Sequence, residues 1–154
     1  MRGQDVTGPE YIVSADKSRL DVPLIHRYLS QSSYWAIGRS LDTVKASIRN
    51  SLCFGVFTPT GGQAGFARVV TDSSTIAWLC DVFVLEEHRG RGLGKRLVEA
   101  VTSHPDLRHI RRILLATNDA HELYRRYGGF TELANPDRWM ERLLPLPNEG
   151  PEAA

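Results

Sequence analysis

Val82 to Glu99 reads VFVLEEHRGRGLGKRLVE, and within it the types and spacing of residues point to one chemistry, the holding of an anion. Val82, Phe83 and Val84 have the look of a buried strand. Leu85 to His88 form a short acidic turn. Arg89, Gly90, Arg91, Gly92, Leu93 and Gly94 follow, and Lys95 leads into an amphipathic helix through Leu97, Val98 and Val101. At a helix N-terminus the first N–H groups lack intrahelical partners and the macrodipole adds partial positive charge, so the turn is suited to a phosphate. Glycines let the backbone approach such a ligand closely. Arg89, Arg91 and Lys95 add cationic charge around the same turn.

Two well-known phosphate loops are excluded. A P-loop requires Ser or Thr after its lysine, and Lys95 is followed by Arg96. The dinucleotide fingerprint requires G-x-G-x-x-G, whereas the spacing here is G-x-G-x-G. What is present is R-x-x-G-x-G, with Arg89, Gly92 and Gly94 in place, between a strand and a helix. This resembles the acetyl-coenzyme A loop of the GNAT superfamily of N-acetyltransferases.

The elements that must position this loop can be read along the chain. A strand at 11–13 precedes a helix near 22–30 with Asp21 as cap and Pro23 in its first turn. After a loop carrying Tyr34 and Trp35, Ser40 or Asp42 caps a second helix through Leu41, Val44 and Ile48. Strands are expected at 52–57, 63–70 and 75–84, joined by the Thr58 to Gly62 hairpin and the Asp72-Ser73-Ser74 turn. The helix at 93–103 then crosses to a short strand at 113–116, which should run parallel to 75–84. Asn118 or Asp119 caps a last helix at 120–127, closed by Gly128 and Gly129. Closing strands are expected at 130–133 and 138–143. The result is an α+β fold with a mixed sheet and helices on its faces, one domain over 1–154 with loose tails at 1–9 and 145–154. The order is also that of a GNAT domain, and it extends the resemblance to roughly residues 10–143.

The resemblance implies that the sheet strands part beside Val82, Phe83 and Val84, and that pantetheine pairs there as a pseudo-strand. It implies acetyl-CoA as acyl donor, held by the amides from Gly90 to Lys95, and direct transfer to a primary amine. Such transfer needs proximity, oxyanion stabilisation, removal of an amine proton and protonation of sulfur. In the family's A-x-x-x-Y-x-x-x-G-F pattern the tyrosine lies by the sulfur. Ala120, Tyr124, Gly128 and Phe130 reproduce it with one extra glycine, which makes Tyr124 the candidate acid. Thr117 stands where the family often has asparagine. A carboxylate often precedes the V-F-V strand in related enzymes, and Asp81 stands there. Two roles are open for it: base or anchor for the amine, or a structural carboxylate paired with Arg68 or another cation. An Asp in so apolar a strand needs a partner. Tyr34 and Trp35 are candidate acceptor-binding residues, whose aromatic faces with Asp81 would suit a cationic amine. Trp78 and Trp139 are ambiguous strand residues.

Composition narrows the classes. With 42% hydrophobic and 24% charged residues the chain is globular. A net charge of +1 gives no field for nucleic acid. No apolar run reaches membrane-spanning length, and the first ten residues lack the apolar stretch of a signal peptide, so a cytoplasmic location is expected. Cys53 and Cys80 make no disulfide framework and no metal pattern; buried reduced thiols are expected, and no metal is called for. The expected partner is a small-molecule or peptide amine, and a homodimer is compatible with the sequence. The rival to an enzyme is a non-catalytic acyl-CoA-binding sensor that keeps the same loop.

Overall fold

The computed structural model describes residues 10–145. Five strands form one mixed sheet in chain order: β1 (Ile12–Ser14), β2 (Leu52–Phe57), β3 (Gln63–Thr71), β4 (Ile76–Val84) and β5 (Arg112–Leu114). The first four pair antiparallel, and β5 runs parallel to β4. Four helices flank it: α1 (Val22–Gln31), α2 (Leu41–Arg49), α3 (Leu93–Ser103) and α4 (His121–Gly128). Residues 1–9, expected as a loose tail, and 146–154 lie outside the described residues.

Local chemistry accounts for these elements. Asp21 Oδ1 accepts from Leu24 N–H at 3.1 Å and Ser40 Oγ from Thr43 N–H at 3.1 Å, so both α1 and α2 start on side-chain caps. Their apolar residues at three- and four-residue spacing point to the sheet. Ile25, Leu29, Val44 and Ile48 pack with Cys53, Phe66 and Phe83 on one face. Leu93, Leu97, Val98 and Val101 of α3 pack with Phe54, Val56, Val69 and Leu79 on the other. Each such buried side chain contributes roughly 1.5–3 kcal/mol of transfer free energy, which makes the two apolar layers the main stabilising term.

One strand changes sides. In an uninterrupted strand residues 77, 79 and 83 would share a face. Instead Ala77 and Leu79 belong to the α3 layer and Phe83 to the α1/α2 layer. The switch falls at Asp81, whose φ is +54°. There the register with β3 slips by one residue, from Arg68 opposite Cys80 to Phe66 opposite Phe83, which is a β-bulge.

The β4–β5 ladder covers only Ile76 to Trp78 against Arg112 to Leu114. From Leu79 onward β4 has no β5 partner, so the two strands part. This corrects the expected strand at 113–116, because Leu115 and Ala116 turn away to line a recess. Neither expected closing strand is formed. Phe130 follows the left-handed Gly129 and packs on Tyr124, Pro136 opens a single 3-10 turn, and Trp139 is held under the Arg112 guanidinium. Met140 and Leu143 beyond it are 95% and 81% exposed. The cap of α4 also differs: Ala120 is the N-cap, and Thr117 Oγ1 accepts from Ala120 N–H at 3.1 Å. The extra glycine is absorbed at the helix end. Gly128 closes α4 against Val98, and Gly129 at φ +71° lets Phe130 N–H reach Tyr124 O at 3.2 Å.

Candidate active site

The turn into α3 takes its shape from two glycines with positive φ, Gly90 at +81° and Gly92 at +75°. A Cβ at either would meet nothing within 4 Å, so the backbone conformation rather than crowding calls for glycine. Gly92 is the N-cap and offers no side-chain bond. Arg96 is the residue whose N–H returns to Gly92 O, at 3.1 Å, which leaves the amides of Leu93, Gly94 and Lys95 without helical acceptors. Gly94 serves packing, since its Cβ would lie 3.5 Å from Leu123 of α4. Two of the cations rest on aromatic rings, Arg91 over Tyr11 and Lys95 over Tyr127. Arg89 turns inward, donating from Nε to Val84 O at 2.9 Å and from Nη2 to the Tyr28 hydroxyl at 3.1 Å.

Where β4 and β5 part, two recesses open. A narrow one of about 290 Å³ runs along Val82, Phe83 and Val84 past Tyr28 and Arg89. Tyr28 stacks on Phe83 with ring centroids 4.0 Å apart, which fixes its wall. A wide one of about 470 Å³ lies between Arg39, Arg68, Trp78, Asp81 and the 115–120 segment. The two share Tyr34, Trp35, Val82, Asp119, Ala120 and Tyr124.

Tyr124 stands at that junction, 8% exposed. Burial, reinforced by Tyr34 and the Asp119 carboxylate, pushes its phenol up to about 12, so the proton stays on it at neutral pH. Tyr34 is anchored by its hydroxyl, which accepts from Asn118 N–H at 2.8 Å.

Asp81 occupies the bulge, and its side chain is 1% exposed. Oδ1 accepts from Trp35 Nε1 at 2.8 Å, and Oδ2 accepts from Arg39 Nη1 and Arg68 Nε, each at 2.8 Å. Burial alone would raise its pKa, but the Arg68 and Arg39 guanidiniums and the Trp35 N–H outweigh burial and hold it below the usual carboxylate value. The carboxylate is thus ion-paired with both Arg39 and Arg68.

Tyr34, Trp35, Asp81, Val82 and Tyr124 thus come together on the wall of the wide recess, and the Gly90 to Lys95 turn follows in sequence from Arg89, which lines the narrow one. Arg39, Asp119 and the wall position of Trp78 are what sequence reasoning missed. Arg39 carried no signal beyond its place before the α2 cap, and Asp119 read only as a helix cap. Trp139 lies apart, against Arg112. Cys80 lines the wide recess while Cys53 is buried, and burial pushes both thiols up to about 11. Among the described residues no group of three or more His, Cys, Asp or Glu could hold a metal ion.

The acetyltransferase (GNAT) domain model matches residues 50–131, more than half of the chain. The chain belongs to the GNAT acetyltransferase family. A Gibberella zeae protein provisionally named an acetyltransferase is 31% identical over 143 aligned positions, covering 79% of each chain. A solved structure from Xanthomonas campestris pv. campestris, provisionally assigned to the same family, is 54% identical. It covers 89% of this chain and 95% of its own, with a TM-score of 0.85. A Clostridium acetobutylicum acetyltransferase solved with acetyl-CoA shares the fold at 15% identity and TM-score 0.60, over 87% and 95% of the two chains. The mixed five-stranded sheet flanked by four helices matches that of GNAT acetyltransferase structures. None of the described helices is long and apolar enough to cross a membrane.

Proposed function

We propose that this single-domain GNAT protein transfers the acetyl group of acetyl-CoA to a primary amine of a small molecule or a peptide. The observation that carries this reading is the junction: two recesses of different character meet at Val82 and Tyr124, beside a strand edge freed from its neighbour. The residues present fit the donor. The unpartnered amides of Leu93, Gly94 and Lys95 at the α3 N-terminus would hold its diphosphate. The parted edge of Val82 to Val84 would bond the amides of its pantetheine arm as an added strand. When bound, acetyl-CoA supplies a thioester activated towards amines.

The chain's own residues supply the rest. Phe83 and the Tyr28 ring stacked on it give the narrow recess an apolar wall. Arg89 braces the edge at Val84 O. Tyr124, protonated at neutral pH, holds a proton at its phenol oxygen for the departing sulfur. Asp81, with every bond directed to Trp35, Arg39 and Arg68, positions the wall of the wide recess and is not assigned the base. Asp119, exposed and lining both recesses, is the carboxylate within reach of an incoming ammonium. Two reduced thiols fit a cytoplasmic setting.

Thiol release from acetyl-CoA, measured across an amine panel with calorimetry of coenzyme A alongside, tests the reading. Amine-dependent release supports it. Heat on binding without release from any amine would make the protein an acyl-CoA sensor, and no heat at all would remove the cradle.

A further inference from the structure

The wide recess has a polarity that its sequence did not suggest. Its carboxylate, Asp81, is 1% exposed in its side chain and engaged by three donors, so it offers nothing to a cationic ligand. The two guanidiniums that hold it carry twice its charge. Arg68 spends Nε on Asp81 and Nη1 on Ser51 Oγ at 3.1 Å. Arg39 spends one N–H of five on Asp81, and its side chain is 23% exposed, on the wall of the recess. A cluster of two arginines and one aspartate has one unmatched positive charge, and a planar guanidinium pairs best with a carboxylate or phosphate. Trp35 and Trp78 flank it with apolar faces. The exposed Asp119 lines the same recess, near enough to Tyr124 for its charge to act on the phenol.

Resting on the amine-transfer reading, we infer that the acceptor is an amine that also carries an oxyanionic group, a carboxylate such as that of an amino acid, which Arg39 binds while the amine faces Tyr124. The recess is thus dipolar, positive at the loop before α2 and negative at the entry to α4, and it takes a dipolar molecule in one orientation.

The test uses matched pairs, an amino acid and the amine left when its carboxyl group is removed, with a phosphorylated amine as a third arm. Binding is read with coenzyme A present, by quenching of tryptophan fluorescence, since Trp35 and Trp78 line the recess. Turnover is read as thiol release. The carboxylated members should bind about 10- to 100-fold more tightly than their decarboxylated partners, the range expected of a charge-assisted pair. Arg39→Met should abolish that difference, read as the ratio within each matched pair so that any loss common to both members through the Asp81 cluster cancels, with coenzyme A affinity as the check on the fold. Arg39→Lys, which keeps the charge beside Asp81, should restore part of that difference and guards against a folding defect in the methionine variant. Preference for the phosphorylated arm would move the oxyanion from carboxylate to phosphate with Arg39 still its partner. Equal binding across each pair, or tighter binding of the decarboxylated amines, overturns the inference even if those amines are acetylated. Tight binding of carboxylated amines without thiol release upholds it and overturns the transfer reading.

Discussion

The run from Val82 to Lys95 supplies one edge of the narrow recess and the glycine turn after it, and what it offers is backbone. The wide recess takes Trp35 and Arg39 from the loop before α2, Arg68 from β3, Trp78 and Asp81 from β4 and Asp119 from the turn into α4. The first is built by local conformation: a strand that loses its partner, then two left-handed glycines, then a helix start. The second is assembled by side chains that meet only because the sheet folds, and three of them, Trp35, Arg39 and Arg68, converge on Asp81. The contrast implies different failure modes. Damage to the backbone cradle should cost affinity in modest steps, whereas removing the charge at Asp81 should unsettle a whole wall.

Asp81→Asn is therefore the most disruptive change. Asparagine tolerates the left-handed φ of +54°, so the backbone is spared, but Arg39 and Arg68 lose their counter-charge. Breaking a buried pair in this way costs about 3–5 kcal/mol, and the residual exposure of Arg39 and Arg68 places the expected loss at the low end, about 3 kcal/mol in denaturant unfolding. The pH dependence has a definite sign. Folding depresses the Asp81 pKa below its ordinary value near 3.9, so its stabilisation is complete above that value and fades as pH falls through the folded one. The stability gap between wild type and variant should narrow on acidification below about pH 4. A loss under about 1 kcal/mol at neutral pH would mean that the wide recess does not hang on this residue.

Tyr124→Phe comes next, at the junction. Turnover should fall by about 100-fold, in the range of general acid catalysis, with coenzyme A affinity unchanged. Because the phenol ionises only near 12, the wild-type rate should show no alkaline fall from this group below about pH 11. Retention of full turnover would leave the junction as mere packing against Phe130.

Gly92→Ala probes the cradle and is smaller. A left-handed φ of +75° in a residue with a Cβ costs about 1–2 kcal/mol, so coenzyme A affinity should drop roughly tenfold by calorimetry. Gly94→Ala is its control: that Cβ would sit at ordinary contact distance, 3.5 Å from Leu123, and affinity should hold. Equal losses from both would trace the effect to helix packing instead of the turn.

What was legible in the sequence follows the same division. The glycine turn, α3 over 93–103, the caps at Asp21 and Ser40 and the β2–β4 meander were all readable, because each rests on periodicity or on a side chain bonding its near neighbours. Asp81 was readable as a position but not in its pairing. Nothing in the local pattern places Arg39, 42 residues earlier, on the same oxygen as Arg68. Hence aromatic walls with a carboxylate suggested a cationic acceptor, while the folded arrangement commits that carboxylate to Trp35, Arg39 and Arg68. The closing strands failed for a related reason. Their apolar residues satisfy a strand pattern, but strand formation needs an edge in reach, and the turn at Pro136 with Trp139 under Arg112 directs Met140 and Leu143 into solvent instead.

Cys80→Ala should have the smallest effect and sharpens the contrast from the other side. Cys80 is the one cysteine on the wall of the wide recess, next to Asp81, so it is the residue through which transfer could run by way of an acyl-cysteine. Burial works against that route. With its pKa raised to about 11, fewer than about one thiol in a thousand is thiolate at neutral pH, and the thiolate is the nucleophile. The Arg68 and Arg39 guanidiniums favour the thiolate, but burial outweighs them and the Asp81 carboxylate opposes them. Turnover of Cys80→Ala should stay within about twofold of wild type, and iodoacetamide should label the native thiol slowly at pH 7. If the substitution abolished thiol release instead, the amine would not meet the thioester at Tyr124, and the wide recess would be a nucleophile's pocket.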